Sequence, residues 1–320
     1  MYSIETYEQV KNKMQPIVRL AQASDVNDLL HLIREAHEEE CVIPLRFDGN
    51  SVFQVLLKAM AGNAVIGVID GENEIASACY LSATTPWYSE NFLLDSLFCY
   101  SRPAYRKSTN SKALLIWAKG QAERLNASMQ IEIPLSEAAK PKLALAERVL
   151  CNRTGTIFVY MPNAEQPTDI SEVKVRPAIL QDEPEVISTI RQLAAEDGAY
   201  PPSDELAIPF IRRALDGDGI IGIVRPGNDI EALVFLRIAA PWFSQDLYLD
   251  EYVLYCKPQY RKSRDARALV QFAKRQADRL NLPLRIGITS KADNERKQAL
   301  YQRMLSDPTA YFFTYRPEAS

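Results

Sequence analysis

Histidine is nearly missing from this chain: 320 residues carry two, His31 and His37, and both fall in the first half. A duplicated catalytic imidazole is thereby excluded, and Ser-His-Asp chemistry and zinc sites lose their usual ligands. The five cysteines (Cys41, Cys79, Cys99, Cys151, Cys256) show no CxxC spacing, so they read as free thiols rather than a metal or disulfide framework. No metal is expected. Charge of one sign is lacking as well: 37 basic and 41 acidic residues give a formal −4, which offers no extended basic surface for a phosphate backbone, and no nucleic-acid partner is expected. No stretch approaches the roughly 18 apolar residues of a membrane span, and Met1 to Pro16 lacks the apolar run of a signal peptide. These absences lead to the expectation of a cytoplasmic protein with no membrane partner.

What the chain has instead is a repeat. "PWYSENFLLDSLFCYSRPAYRKS", from Pro86, returns as "PWFSQDLYLDEYVLYCKPQYRKS", from Pro241, and Tyr105 corresponds to Tyr260 (260 − 105 = 155). A period of this length exceeds the ~20–50 residues of solenoid units, so two copies of one complete domain are expected. With 47% hydrophobic and 24% charged residues, each copy has the composition to bury a core of its own.

Each copy opens with a short extended piece ending in Arg ("PIVRL", "VKVRP"), followed by Asp25 or Asp182 as a helix cap and by two helices. Two strands joined by Gly and Asn turns come next, then the repeated strand, then a strongly amphipathic helix ("KALLIWAKGQAERLN", "RALVQFAKRQADRLN") in which Leu114, Trp117, Ala118, Ala122 and Leu125 recur at three- and four-residue steps. A buried strand, another helix and a final strand close the unit, giving β-α-α-β-β-β-α-β-α-β. Trp87 and Trp242, each beside a proline, read as staples of a turn to the core. Residues 1–162 form the first domain, the polar stretch 163–173 a linker, and 174–320 the second.

This order, with a strand passing through proline into "YR" and straight into an amphipathic helix, resembles the GCN5-related N-acetyltransferase (GNAT) family in each half. The resemblance implies an α/β (α+β) fold of two tandem GNAT-like domains, each a mixed, mostly antiparallel sheet flanked by helices. The family's Arg/Gln-x-x-Gly-x-Gly/Ala signature maps onto "RKSTNS" (Arg106 to Ser111) and "RKSRDA" (Arg261 to Ala266). In the family this loop and the following helix N-terminus hold the pyrophosphate of acetyl-CoA through backbone amides. The resemblance thus implies acetyl-CoA as co-substrate and a cofactor site at Tyr255, Cys256, Arg261, Lys262, Ser263, Arg264, Asp265 and Ala266. Thr109 and Arg264 stand where the pattern has its first glycine; Ser111 breaks the second position and Ala266 satisfies it.

Many family members use a tyrosine in the helix after the fifth strand as the acid that protonates the leaving thiolate. "NERKQALYQRML" carries Asn294, Ala299, Tyr301 and Arg303 in that arrangement, whereas the first copy has Ala146 opposite Tyr301. Glu251, opposite Ser96, is the candidate base, and Asp250, matched by Asp95, reads as structural. Glu38 to Glu40, and Glu196, Asp197, Asp204 and Glu205, read as solvated helix ends, with electrostatic steering of a cationic amine as the alternative. The expectation is an N-acetyltransferase with an active C-terminal half, acting on a small-molecule or protein amine, as a monomer or a homodimer. Two alternatives are a catalytically inactive GNAT-fold binding or assembly protein, and a first half that binds a nucleotide-like ligand through Arg106, Lys107 and Ser108.

Overall fold

A computed structural model of the chain describes residues 16–106, 108–150, 153–162, 173–198, 200–288 and 294–317. Lys107, Cys151 and nearly all of the expected linker lie outside them. The first half runs β1 (Arg19–Leu20), α1 (Val26–Glu40), α2 (Gly49–Lys58), β2 (Ala64–Asp70), β3 (Ile75–Thr84), β4 (Leu93–Ser101), α3 (Asn110–Leu125), β5 (Ser128–Pro134), α4 (Lys140–Leu150) and β6 (Arg153–Tyr160). The second repeats it as β7 (Val175–Pro177), α5 (Glu183–Asp197), α6 (Asp204–Arg213), β8 (Gly219–Val224), β9 (Ala232–Ala239), β10 (Tyr248–Cys256), α7 (Asp265–Leu280), β11 (Leu284–Ile288), α8 (Asn294–Met304) and β12 (Ala310–Tyr315). The element order read from the sequence is present in both copies. Among the described residues no helix is long and apolar enough to cross a membrane.

Local chemistry sets the ends. Both copies of "RLN" stop their helix on an asparagine in the left-handed region, Asn126 (φ 48°) and Asn281 (φ 52°), which tolerates that conformation better than other side chains. Asp25 and Asp182 take a role beyond capping: each accepts the N–H of the residue three before it (Gln22 or Ile179) and an ion pair from the arginine of the preceding strand, Arg19 or Arg176. The short first strand is thereby tied to the helix it precedes.

Strand side chains alternate between two helical layers. In β2, Ile66 and Val68 face the α1–α2 layer while Val65 and Ile69 face α3 and α4; in β9, Leu233 and Phe235 face α5 and α6 while Val234 and Leu236 face α7 and α8. Burial on both faces explains why these strands read as continuous apolar runs. Close packing repeats too. A Cβ on Gly67 would come within 2.8 Å of the Trp117 ring, and one on Gly222 within 2.5 Å of the Phe272 ring, so each central helix rests an aromatic directly on strand backbone.

Among the described residues the twelve strands form one sheet, in the order β1-β2-β3-β4-β5-β12-β6-β11-β10-β9-β8-β7. Pairing is antiparallel except for β4·β5 and β10·β11. The sheet is therefore mixed and mostly antiparallel, as expected, but the final strand does not close its own unit. β12 lies between β5 and β6 of the first half, and β6 pairs with β11 of the second. In the β6·β12 pair Thr156 faces Tyr311, its own repeat equivalent (311 − 156 = 155), so a local twofold axis passes through that pair. The exchange carries core with it. Phe158 packs in the core of the second half and Phe313 in that of the first, both fully buried, at about 2–3 kcal/mol of transfer free energy each.

The tryptophans are exchanged in the same way. Trp87 stacks on Phe210 of the second half (5.1 Å, 22°), and Trp242 stacks on Phe98 of the first (6.1 Å, 24°). Backbone bonds seal both turns reciprocally: Ser203 N–H donates to Tyr88 O (2.7 Å) and Asp48 N–H to Phe243 O (2.8 Å). The expectation of a stapled turn holds, with the correction that the core being stapled belongs to the other copy.

Candidate active site

Each half contains a gap where a parallel pair of strands parts. β4 and β5 are paired only over Leu93–Ser96 and Ser128–Ile131, and β10 and β11 only over Leu249–Asp250 and Leu284–Arg285. A bulge falls at the corresponding place in each, at Leu97 in β4 and Tyr252 in β10, and bends the strand away from its neighbour. Beyond each gap lie the YRKS loop and the N-terminus of a 16-residue helix.

In the second half, Glu251 enters this gap and accepts the N–H of Gly287 across it (3.2 Å). Burial pushes its carboxyl up to about 8, Asp250 adds to the rise, and Lys297 and Arg285 partly offset it. Tyr301, on α8, is 2% exposed and sits edge-on to the exchanged Phe158 (5.6 Å, 74°). Burial holds its phenol well above the ordinary range, with Glu251 and Cys256 contributing in the same direction. The Cys256 thiol is pushed up to about 12, first by burial and then by Asp265. The structure thus brings Glu251, Cys256, Lys297 and Tyr301 within electrostatic reach of one another, and at neutral pH the carboxyl, the phenol and the thiol all favour their protonated forms. The Asn294 side chain lies outside the described residues.

The first-half gap is filled differently. Ser96 and Ala146 replace Glu251 and Tyr301, and Lys142, the counterpart of Lys297, donates to Cys99 O (2.8 Å) and to the Glu40 carboxylate (2.7 and 2.8 Å). Both side chains are close to 90% buried. An ion pair with both members satisfied is costly to break, and here it occupies the β4 carbonyl that the gap exposes.

At the loop, Arg261 donates from Nε to Cys256 O (3.3 Å) and its guanidinium pairs with Glu196, which also accepts Tyr255 Oη–H (3.1 Å). Burial and Glu196 push that phenol up to about 12. The first half repeats the clamp with Arg106, Glu39 and Tyr100. Arg261 and Tyr255 therefore lock strand and loop to α5. Lys262, Ser263 and Arg264 are exposed; Ser263 Oγ accepts the Asp265 N–H (3.0 Å), and Asp265 itself is buried at 4% exposed. The N-terminus of a 16-residue helix, its first amide held by Ser263 and its start flanked by Lys262, Arg264 and Arg267, suits a pyrophosphate, so the residues present fit acetyl-CoA.

The acidic runs at the helix ends, which the alternative reading has steering an amine, are mostly paired with cations of the same chain. Glu39, Glu40, Glu196 and Asp204 pair with Arg106, Lys142, Arg261 and Arg191. Glu38 and Glu205 remain exposed; the Asp197 side chain is outside the described residues.

Between the halves lie two cavities, of about 1180 and 730 Å³, which share Thr84, Asp95, Gln130, Tyr252 and Phe312 in their walls. Glu251 and Tyr301 line neither, although Tyr252, beside Glu251, lines both. Here the twofold is broken. Arg285 pairs with Asp250 (3.3 Å) and crosses the axis to Glu132 (2.8 Å), whereas the equivalent positions are the neutral Gln130 and Gly287. Asp95 consequently makes no ion pair among the described residues, and burial, reinforced by Glu132, pushes its carboxyl up to about 7. Sequence reading grouped Asp95 with Asp250 as structural; the unmatched Gln130/Arg285 pair was the available sign that the two differ.

The sequence matches no protein-family model, and no curated protein matches it. Solved structures do resemble it. A GCN5-related N-acetyltransferase from Sphaerobacter thermophilus is similar over 96% of this chain and 99% of its own, at 16% identity and a TM-score of 0.59. A tandem GNAT protein from the clavulanic acid biosynthesis pathway is similar over 96% and 100%, at 10% identity and 0.56. An acetyltransferase of the GNAT family from Colwellia psychrerythraea is similar over 94% and 100%, at 12% identity and 0.53.

Proposed function

Starting from a GCN5-related N-acetyltransferase fold present in tandem, we propose that this protein is an acetyl-CoA-dependent N-acetyltransferase for a primary amine, with residues 174–320 catalytic and residues 1–162 no longer so. One observation carries the reading: the two gaps, equal by descent, now differ in content. One holds a carboxyl and a phenol; the other is crossed by the Lys142–Glu40 pair and lacks both candidate groups.

Acetyl-CoA supplies an activated acetyl thioester when bound. Lys262, Arg264 and the first-turn amides of α7 hold its phosphates, and the Arg261–Glu196–Tyr255 clamp keeps that loop in place against β10. In a ternary complex Glu251, ionised as pH approaches 8, accepts the proton that the amine gives up as its nitrogen bonds to the acyl carbon. Tyr301 gives its proton to the sulfur as the carbon–sulfur bond breaks. The elevated proton affinity of both groups suits them to hold a proton at neutral pH.

Isothermal titration calorimetry of acetyl-CoA on the full chain and on Arg264→Glu tests the cofactor half of the proposal. Binding near one equivalent that is lost in the variant supports it. Two equivalents would return the first half to function, and no binding at millimolar ligand would turn the reading to a binding or assembly protein.

A further inference from the structure

The larger cavity carries more information than its size. Lys119, Arg153, Arg237 and Arg316 line it, against a single carboxylate, Asp95. Three of these cations lie over aromatic faces: Lys119 over Tyr315 (4.7 Å), Arg153 over Tyr311 (4.4 Å) and Arg237 over Phe210 (5.5 Å). A ring positions a cation without neutralising it and leaves its N–H donors available. Arg237 makes one further contact, to Tyr252 Oη (3.4 Å), and among the described residues none of the four forms an ion pair.

The neighbouring cavity behaves in the opposite way. Its cationic side chains Lys142 and Arg285 are both matched to carboxylates, at Glu40, Glu132 and Asp250. Elsewhere the protein spends its carboxylates on its arginines freely, at Arg19, Arg102, Arg106, Arg176, Arg225 and Arg261. Lys119 and Arg237 are half-buried and Arg153 and Arg316 exposed, and with one carboxylate against four cations the lining carries a net positive charge that suits an anion from outside.

We propose that this cavity binds the acceptor of the second half, and that the acceptor is an amine carrying an anionic group, carboxylate or phosphate-like, on a flat apolar body. The flat body packs against Trp87, Tyr200, Phe210 and Tyr252, and the anion meets Arg153 and Arg237. Trp87 comes from the first half, which makes that half part of the acceptor site of the second. The assignment of the ligand as acceptor rests on the N-acetyltransferase reading; the preference for an anion rests on the cavity.

The test uses the full chain and three probes of one shape: 4-(aminomethyl)benzoate, [4-(aminomethyl)phenyl]phosphonate and methyl 4-(aminomethyl)benzoate. Calorimetry is expected to show at least one anion binding tenfold or more tighter than the neutral ester, with Arg237→Gln and Arg153→Gln each weakening it about tenfold or more, as loss of a charge-assisted bond requires. The stronger anion tells carboxylate from phosphate chemistry. Arg264→Glu should leave the affinity unchanged. Equal binding of ester and anions, or no binding of any, overturns the proposal, and the ester comparison needs no variant to fold. Anion binding that depends on Arg237, with no acetyl transfer to any probe, keeps the cavity assignment and removes the enzyme reading; transfer to the ester as fast as to the anions does the reverse.

Discussion

Glu251 gives the sharpest quantitative prediction, because its burial reaches stability as well as chemistry. Its carboxyl is held at about 8 against an ordinary value of 4.5, so the folded protein binds a proton there more tightly than the unfolded chain. The linkage sign follows: folding suffers no penalty from this group below about pH 4.5, the penalty grows as pH rises through the window from 4.5 to 8, and it is complete above 8. At ~1.4 kcal/mol per unit of pKa difference, it reaches about 3 kcal/mol at pH 7 and about 5 kcal/mol above pH 9. Glu251→Gln keeps an oxygen for the Gly287 N–H and removes the charge. Urea unfolding of both proteins at pH 5, 7 and 9 should therefore show the variant gaining on the wild type as pH rises, from under about 1 kcal/mol at pH 5 to about 3 at pH 7. A difference between the two that stays flat from pH 5 to 9 would refute the burial argument, whatever the protein catalyses.

Other consequences are simpler to measure. Gly222→Ala should lower stability by about 1–3 kcal/mol in denaturant unfolding, since its Cβ would need space held by the Phe272 ring at 2.5 Å; unchanged stability would mean that α7 shifts freely. Trp87→Ala should cost about 3 kcal/mol and loosen the α6 region of the second half rather than its own, which hydrogen exchange at α6 reads directly. Lys142→Met alone should cost about 3 kcal/mol by stranding Glu40, whereas Lys142→Met with Glu40→Leu should recover most of the loss; additive costs would show that the pair is not coupled. Ending the chain at Thr309 removes β12, leaves the edges of β5 and β6 open and strips Phe313 from the first-half core, so the truncated chain should sediment as larger species than the full chain does; identical sedimentation would contradict this.

The repeat, the element order and the helix ends were legible because they depend on local signals: a 3.6-residue period, "RLN" in αL, proline before the loop. Fold class followed from them. Strand exchange was not legible, because an apolar strand states how it is buried and not by which partner, and the two copies offer chemically similar edges to both β6 and β12. The tryptophans were hidden for the same reason: each half offers an aromatic, Phe98 or Phe210, and the sequence does not say which tryptophan meets which. Of the candidate site, Glu251 stands out against Ser96 and Tyr301 through the family pattern, and the structure puts the two within electrostatic reach of each other. The pairing of four of the acidic helix-end carboxylates was not legible, because Arg106, Lys142, Arg191 and Arg261 are distant in sequence from most of them. Asp95 was passed over because its equivalent Asp250 looks identical until Arg285 is seen to serve only one of them.

The central claim, that chemistry resides in the second half, is tested most directly by CoA thiol release from acetyl-CoA with 4-(aminomethyl)benzoate and other primary amines, followed from pH 6 to 9 for wild type, Glu251→Gln and Tyr301→Phe. The account expects a wild-type kcat/KM that climbs until pH reaches about 8, a Glu251→Gln profile that is lower and lacks that rise, and a Tyr301→Phe loss of about tenfold or more in kcat. Wild-type turnover left intact by both substitutions would contradict it and move the search for catalysis to the other gap.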